Sequence, residues 1–192
     1  HALTELNHAG LSVRLWDDDV ITEANLGRQL FAECELGLHK SVALINRANR
    51  FFGTNWKAEK QKFQKDDLGK LQSNMKSEIY ISCVDSVKSR FDIAEILNEL
   101  KMDKSYYRNQ CKYWMDFGNS QFTGQVLLST IGNIKQPNSD KYETVENLPF
   151  ITEEFGELLK ISEAEDDTPS CSLAEALEKQ DLFINSTLAQ MG

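Results

Sequence analysis

The eight residues Glu78 to Asp85, EIYISCVD, constrain the fold more than any others. They form a near-continuous apolar run that ends in an acid. Such a run reads as a strand buried on both faces of a sheet. Ser12 to Asp17, SVRLWD, is a shorter apolar-rich strand, again closed by an acid. Lys112 to Phe117, closed by Gly118, and Gly124 to Ser129 read as two more strands, and Asn55 to Phe63 alternates weakly. Helical stretches lie between them. Asn25 to Phe31 is short. Leu38 to Phe52 is longer, with an apolar stripe of Val42, Leu44, Ile45, Ala48 and Phe51 and with Gly53 past its end. Asp67 to Met75 reads as a short helix or turn, and Ser86 to Leu100 as a helix. Alternating strands and helices predict an α/β fold with a mostly parallel sheet and helices on both faces.

Beyond these elements the pattern weakens. Gly132 to Glu146 holds Gly, Pro, Asn, Ser and Asp with no period, as a crossover loop does. Pro149 to Ile161 is amphipathic, Glu163 to Ser170 is acidic and polar, and Leu173 to Met191 reads as a final helix. The expectation is a single domain over 1–192, with a crossover loop and linker at 132–170. A chain of 192 residues can bury a core of ordinary size. Its formal net charge of -9 argues against a nucleic-acid surface, which needs clustered Lys and Arg, and against an anionic membrane. No apolar run approaches the roughly 20 residues of a membrane span. Cys34, Cys83, Cys111 and Cys171 are scattered, with no Cys-x-x-Cys, which fits free thiols in a reducing cytoplasm.

The densest chemistry lies between Asp17 and Lys40. Asn25, Arg28 and Gln29 fall within about one helical turn, and Lys40 follows Gly37. A guanidinium fork between two neutral amides suits a polyphosphate. On spacing alone the same residues fit a solvated helix face. Asp17 ends its strand as an acid does at a nucleotide ribose. Asp85 ends the most hydrophobic strand, where a carboxylate either holds Mg²⁺ or caps the next helix. Arg90 is expected to pair with an acid. Cys171 stands where a helix starts, a setting that lowers a thiol's pKa; an ordinary free thiol fits equally well. Cys34, Cys83 and Cys111 read as structural, with Cys83 inside a strand. Asp116 to Gly118, DFG, is no kinase motif, because no His-Arg-Asp loop precedes it and no Ala-Pro-Glu follows. It reads as a strand end with a turn glycine. His1, His8 and His39 make no metal-spaced set, and Trp16, Trp56 and Trp114 are expected in the core.

Together these residues resemble the ThiF/MoeB/HesA family, whose fold ubiquitin-activating enzymes share. The family strand ending in Asp-x-Asp, the Asn-Leu-x-Arg-Gln string and the Gly-x-x-Lys are matched by Asp17, Asp19, Asn25, Leu26, Arg28, Gln29, Gly37 and Lys40. A second block matches CVDSVKSR, with Asp85 and Arg90 in place and Ser86 where Asn is usual. The stretch from Pro169 to Gly192 is similar to ThiF-type proteins of plasmid-borne PRTRC clusters. The resemblance implies a Rossmann-like three-layer sandwich that binds Mg-ATP. It puts Asn25, Arg28 and Lys40 at the phosphates with Gln29 supporting them, Asp17 at the ribose and Asp85 on Mg²⁺, and it counts Asp19, the family's second Asp, among the ATP-binding residues. Cys171, with Pro169, Ser172, Leu173 and Ala174, matches the setting of a thioester-forming cysteine. Relatives carry a structural zinc on paired Cys-x-x-Cys motifs, so no zinc is expected here. The family's first strand and glycine-rich turn have no counterpart, since HALTELN reads as the tail of the helix that follows them. By itself this stretch is expected to bind nucleotide weakly or not at all.

The resemblance implies ATP-dependent adenylation of the C-terminal glycine of a small ubiquitin-like or sulfur-carrier protein, with Cys171 as a candidate acceptor of the acyl group. It also implies a homodimer and a conjugating-enzyme-like partner. A nicotinamide-dependent dehydrogenase shares the fold and the ribose acid but does not explain Asn25, Arg28, Gln29 and Lys40 together. A non-catalytic partner-binding module is the third reading.

Overall fold

The computed structural model describes residues 5–6, 8–26, 29–66, 69–102, 111–119, 124–132, 134–165 and 184–192. The chain forms two compact units, one ending at Phe63 and the other beginning at Gln64.

In the first unit, β1 (Arg14–Trp16) and β2 (Lys57–Glu59) pair in parallel, with Leu15 opposite Ala58. A parallel pair needs a crossover, and α2 (Lys40–Phe52) supplies it, after the one-turn helix α1 (Glu23–Leu26). Gly53 closes α2 in the left-handed conformation at φ 67°, where a side chain is strained, and its N–H bonds the Asn49 carbonyl. Asn49 then organises the return to β2. Its Oδ1 accepts from Thr54 Oγ1 and Trp56 N–H, and its Nδ2 donates to the Trp56 carbonyl. The buried side of α2 is set by Ser41, Ala43 and Ile45. Leu44 and Phe51 of the expected stripe are exposed, Phe51 by 80%. Ser41 is fully buried because its Oγ lies 3.1 Å from the Asp17 carbonyl and 3.0 Å from that of Glu59, seating the helix on both strand ends.

In the second unit, β3 (Ile79–Ser82) runs parallel to β4 (Tyr113–Asn119), and β5 (Gly124–Thr130) runs antiparallel to β4. α3 (Val87–Met102) connects β3 to the chain leading into β4. Tyr80 and Ser82 of β3 are buried, whereas Ile79 and Ile81 are 54% and 64% exposed. The run that reads as buried on both faces is therefore an alternating strand at the edge of its sheet. Hydrophobicity reports what a strand can tolerate, and only its neighbours decide what is covered.

β4 is the central strand and alternates cleanly. Trp114, Asp116 and Gly118 are buried on one face. Trp114 meets Phe150 edge-on at 5.2 Å, and Asp116 meets Arg90 of α3. On the other face, Met115 and Phe117 lie close to Gly192, at the end of α6 (Ile184–Met191). Leu188 of α6 sits tightly over Gly124. Helices thus cover both faces, as the α/β, Rossmann-like class expected from the sequence requires. The sheet is mixed, because β5 turns back antiparallel. Gly118 lies inside β4, opposite Gln125, and not at a strand-ending turn. Pro149 to Ile161 divides at Phe155 into α4 (Ile151–Glu154) and α5 (Gly156–Glu165). Trp114 is core, but Trp16 and Trp56 are only half-buried. No described helix is long and apolar enough to cross a membrane.

Candidate functional site

The chain leaving β1 is zipped against the turn before α2. Ile21 N–H donates to the Leu38 carbonyl, Gly37 N–H to that of Ile21, and Lys40 N–H to that of Asp19. Gly37 allows this at φ 81°, a left-handed conformation that favours glycine. The zipper brings Asp19 and Lys40 together across 21 residues. Lys40 Nζ lies 2.6 Å from Asp19 Oδ2, with the lysine largely covered and the aspartate largely exposed.

Asp17 sits at the carboxyl end of β1, half-buried. Its Oδ1 accepts the Asp19 N–H at 2.8 Å. Burial pushes its carboxyl above the usual range, and the neighbouring Asp19 and Asp18 add to this; the Asp19 N–H and Lys40 oppose it. The oxygens of Asp17, Asp18 and Asp19 lie within 4.8 Å of one another.

Asn25 is buried, which its position on a one-turn helix did not foretell. Its Oδ1 accepts from Thr22 N–H at 2.9 Å and from Thr22 Oγ1 at 3.1 Å. This is the return half of a capping box, with Asn in the place of Glu or Gln. A backbone N–H can only donate, so the amide oxygen is committed to Thr22 and the Nδ2 group is the part able to donate to a ligand. Gln29 is half-buried and donates its N–H to the Asn25 carbonyl. Arg28 and Cys171 lie outside the described residues.

Arg47 of α2 secures the following loop, a role the sequence did not suggest. Its Nε donates to Glu35 Oε1 at 2.8 Å, its Nη2 to Glu35 Oε2, and its Nη1 to the Leu30 carbonyl at 2.5 Å. The guanidinium also stands over the Phe31 ring at 5.4 Å. One forked side chain thus ties both ends of the segment from Leu30 to Glu35. Hydrogen bonding from Arg47 holds the Glu35 carboxyl below its usual range.

In the second unit, Asp85 is exposed on the turn between β3 and α3. Ser86 caps α3, its Oγ accepting the Ser89 N–H at 3.2 Å. The capping duty falls to the serine, so the Asp85 carboxylate stays available to a cation. A hard oxygen donor at the carboxyl end of a strand fits Mg²⁺, which takes one or two protein carboxylates and shares the substrate's phosphates.

Arg90 does pair with an acid. It is buried and donates from Nε to Asp116 Oδ2 at 3.0 Å. Asp116 is also buried, and Ser82 Oγ donates to its Oδ1 at 2.5 Å. Burial pushes the Asp116 carboxyl up, against the pull of Ser82 and Arg90 toward the ionised form. The signal available in sequence was an acid in an otherwise apolar strand. Cys111 is a structural thiol, buried 3.3 Å from the Tyr80 hydroxyl. Cys83 and Cys34 are exposed, and Cys83 lies just past the end of β3.

A family model described as ThiF family matches residues 1–191. No curated protein matches the chain.

Proposed function

The chain belongs to the ThiF family, and on that premise we propose that it uses ATP to adenylate the C-terminal glycine of a small ubiquitin-like or sulfur-carrier protein. Members of this family are adenylyltransferase-like enzymes that activate such proteins and bind ATP. In the proposed reaction an oxygen of the carrier's terminal carboxylate attacks the α-phosphorus. The bond to the bridging oxygen breaks, pyrophosphate leaves with those electrons, and an acyl adenylate remains.

Each residue has a part in this reading. Asp17 accepts hydrogen bonds from the ribose hydroxyls. Lys40 exchanges Asp19 for a phosphate oxygen, so a charge already placed and partly desolvated meets the growing charge. Asn25 donates from Nδ2, and Arg28 and Gln29 extend the donor set. Asp85 would hold Mg²⁺, which would supply neutralising charge at the phosphates. Cys171 is the proposed acceptor of the next step: its thiolate attacks the acyl carbonyl, AMP leaves, and a thioester forms. We further propose a homodimer and a conjugating-enzyme-like partner for the activated carrier, as in PRTRC-type sets.

The observation that carries the reading is the zipper after β1, which sets Lys40 beside the carboxyl end of the strand that Asp17 closes. ATP–pyrophosphate exchange tests it, with and without small proteins ending in glycine. Exchange that needs such a protein and is lost in Lys40→Ala and Asp85→Ala supports adenylation. A folded full-length protein that neither exchanges pyrophosphate nor binds ATP, with any carrier, sinks it. NADH binding in its place would favour a dehydrogenase, and carrier binding without turnover a non-catalytic module.

A further inference from the structure

We propose that the buried Arg90–Asp116 pair is a positioning device that fixes the turn bearing Asp85, an inference that rests on the reading of Asp85 as the magnesium carboxylate. The turn is short. Ser82 ends β3, Cys83 to Asp85 follow, and Ser86 caps α3. Both flanks are tied to one ion pair. On the strand side, Ser82 Oγ donates to Asp116 Oδ1 and accepts the Trp114 indole N–H at 2.8 Å. On the helix side, Arg90 Nη1 reaches the Ser86 carbonyl at 3.5 Å while its Nε holds Asp116 Oδ2. Arg90 Nη2 donates to the Phe117 carbonyl at 3.2 Å, which locks the guanidinium to β4.

The two oxygens of Asp116 thus serve the two ends of one turn. A buried ion pair contributes little stability beyond apolar residues of equal volume, because both charges are stripped of water. Its value here is directional. The fork of Arg90 reaches three acceptors in a fixed plane, a geometry that lysine cannot reproduce. A carboxylate that must meet a metal with strict geometry gains from a support of this kind.

Three variants test this: Asp116→Asn, Arg90→Lys and Ser82→Ala. The first readout needs no nucleotide. Hydrogen exchange at the Ser89 amide, which is held by the Ser86 cap, speeds up several times while β4 and β5 amides keep their protection. The second is the magnesium concentration for half-maximal pyrophosphate exchange, expected to rise roughly tenfold or more at unchanged carrier KM. Unchanged Ser89 exchange and an unchanged magnesium midpoint in folded Asp116→Asn overturn the proposal. Should that variant not fold, Ser82→Ala keeps the ion pair and carries the same two readouts. Asp85→Asn separates the two failures. If it leaves the magnesium midpoint unmoved, the reading of Asp85 fails and the positioning role falls with it. If it shifts the midpoint while the three variants do not, the positioning role alone is wrong.

Discussion

Replacing Gly118 by Ala tests whether Arg90 is held rigidly. Gly118 is the next-to-last residue of β4 and lies outside the left-handed region, so its backbone accepts alanine without strain. Space is the difficulty. A Cβ there would stand 2.7 Å from Gln125 Nε2, 3.0 Å from Gln125 Cδ and 3.0 Å from Arg90 Nη2. Gln125 is half-buried and its amide end can rotate away. Arg90 cannot follow as cheaply, because Nη2 bonds the Phe117 carbonyl and Nε bonds Asp116. Restoring an ordinary 3.4 Å contact requires a shift of about 0.4 Å (3.4 less 3.0), taken out of those bonds.

Overpacking of this size costs about 1–3 kcal/mol. Alanine returns about 0.4–1 kcal/mol by restricting the unfolded chain. Taking the middle of each range (about 2 less about 0.7), the expected net loss is about 1.3 kcal/mol, or roughly 3–5 °C in Tm for a chain of this length. Urea and thermal unfolding of the variant measure it. Adding Gln125→Ala removes one obstruction and leaves the other. Full recovery in that double variant would show that Arg90 yields freely. Stability equal to or above wild type in Gly118→Ala alone would refute the argument outright.

Four further outcomes are expected. Ser41→Ala should cost about 1 kcal/mol, the net worth of a buried hydroxyl bond, and Ser41→Val more, because two carbonyls then face a methyl group; denaturant midpoints decide. Arg47 holds Glu35 below the ordinary carboxylate range, so this stabilisation is complete above the unfolded value of 4.5 and lost as pH falls through the lower folded one. The stability gap between wild type and Glu35→Gln should therefore persist at pH 4.5 and close only below it; a gap that closes above 4.5 contradicts the Arg47 clamp. Asp19→Asn should change stability by less than about 1 kcal/mol, since half of its pair is solvated. Lys40→Ala should weaken ATP binding by roughly tenfold or more, the loss of one charge-assisted bond; calorimetry showing equal affinity removes Lys40 from the site.

Much of the architecture was legible because it depends on local chemistry. The helix from Lys40 to Phe52 ends at Gly53, as its sequence demands, and the strands ending before Asp17 and Asp85 stand where apolar runs meet an acid. What was not legible depends on partners distant in sequence. Ile79 and Ile81 look as buried as Tyr80 until the edge position of β3 is known. Ser41 seems a poor choice for the covered side of a helix until two strand carbonyls are placed over it. The site divides in the same way. The types and spacing of Asp17, Asn25 and Lys40 could be read directly, but the capping of Thr22 by Asn25 and the pairing of Lys40 with Asp19 could not.

Asp116 shows why such residues escape a sequence reading. In the string YWMDFGN it interrupts an apolar strand two residues before a glycine, which locally reads as the start of a turn. A carboxylate in the middle of a buried strand is tolerable only if donors meet it there. Ser82 comes from a strand 34 residues earlier and Arg90 from a helix 26 residues earlier. Gly118, two residues on, leaves space where a side chain would displace that arginine. Acid, glycine and arginine form one arrangement, and any one of them alone looks like an error in the pattern. An acid that breaks a central strand, followed on the same face by glycine, is therefore a reason to search the preceding helix for its cation before assigning a turn.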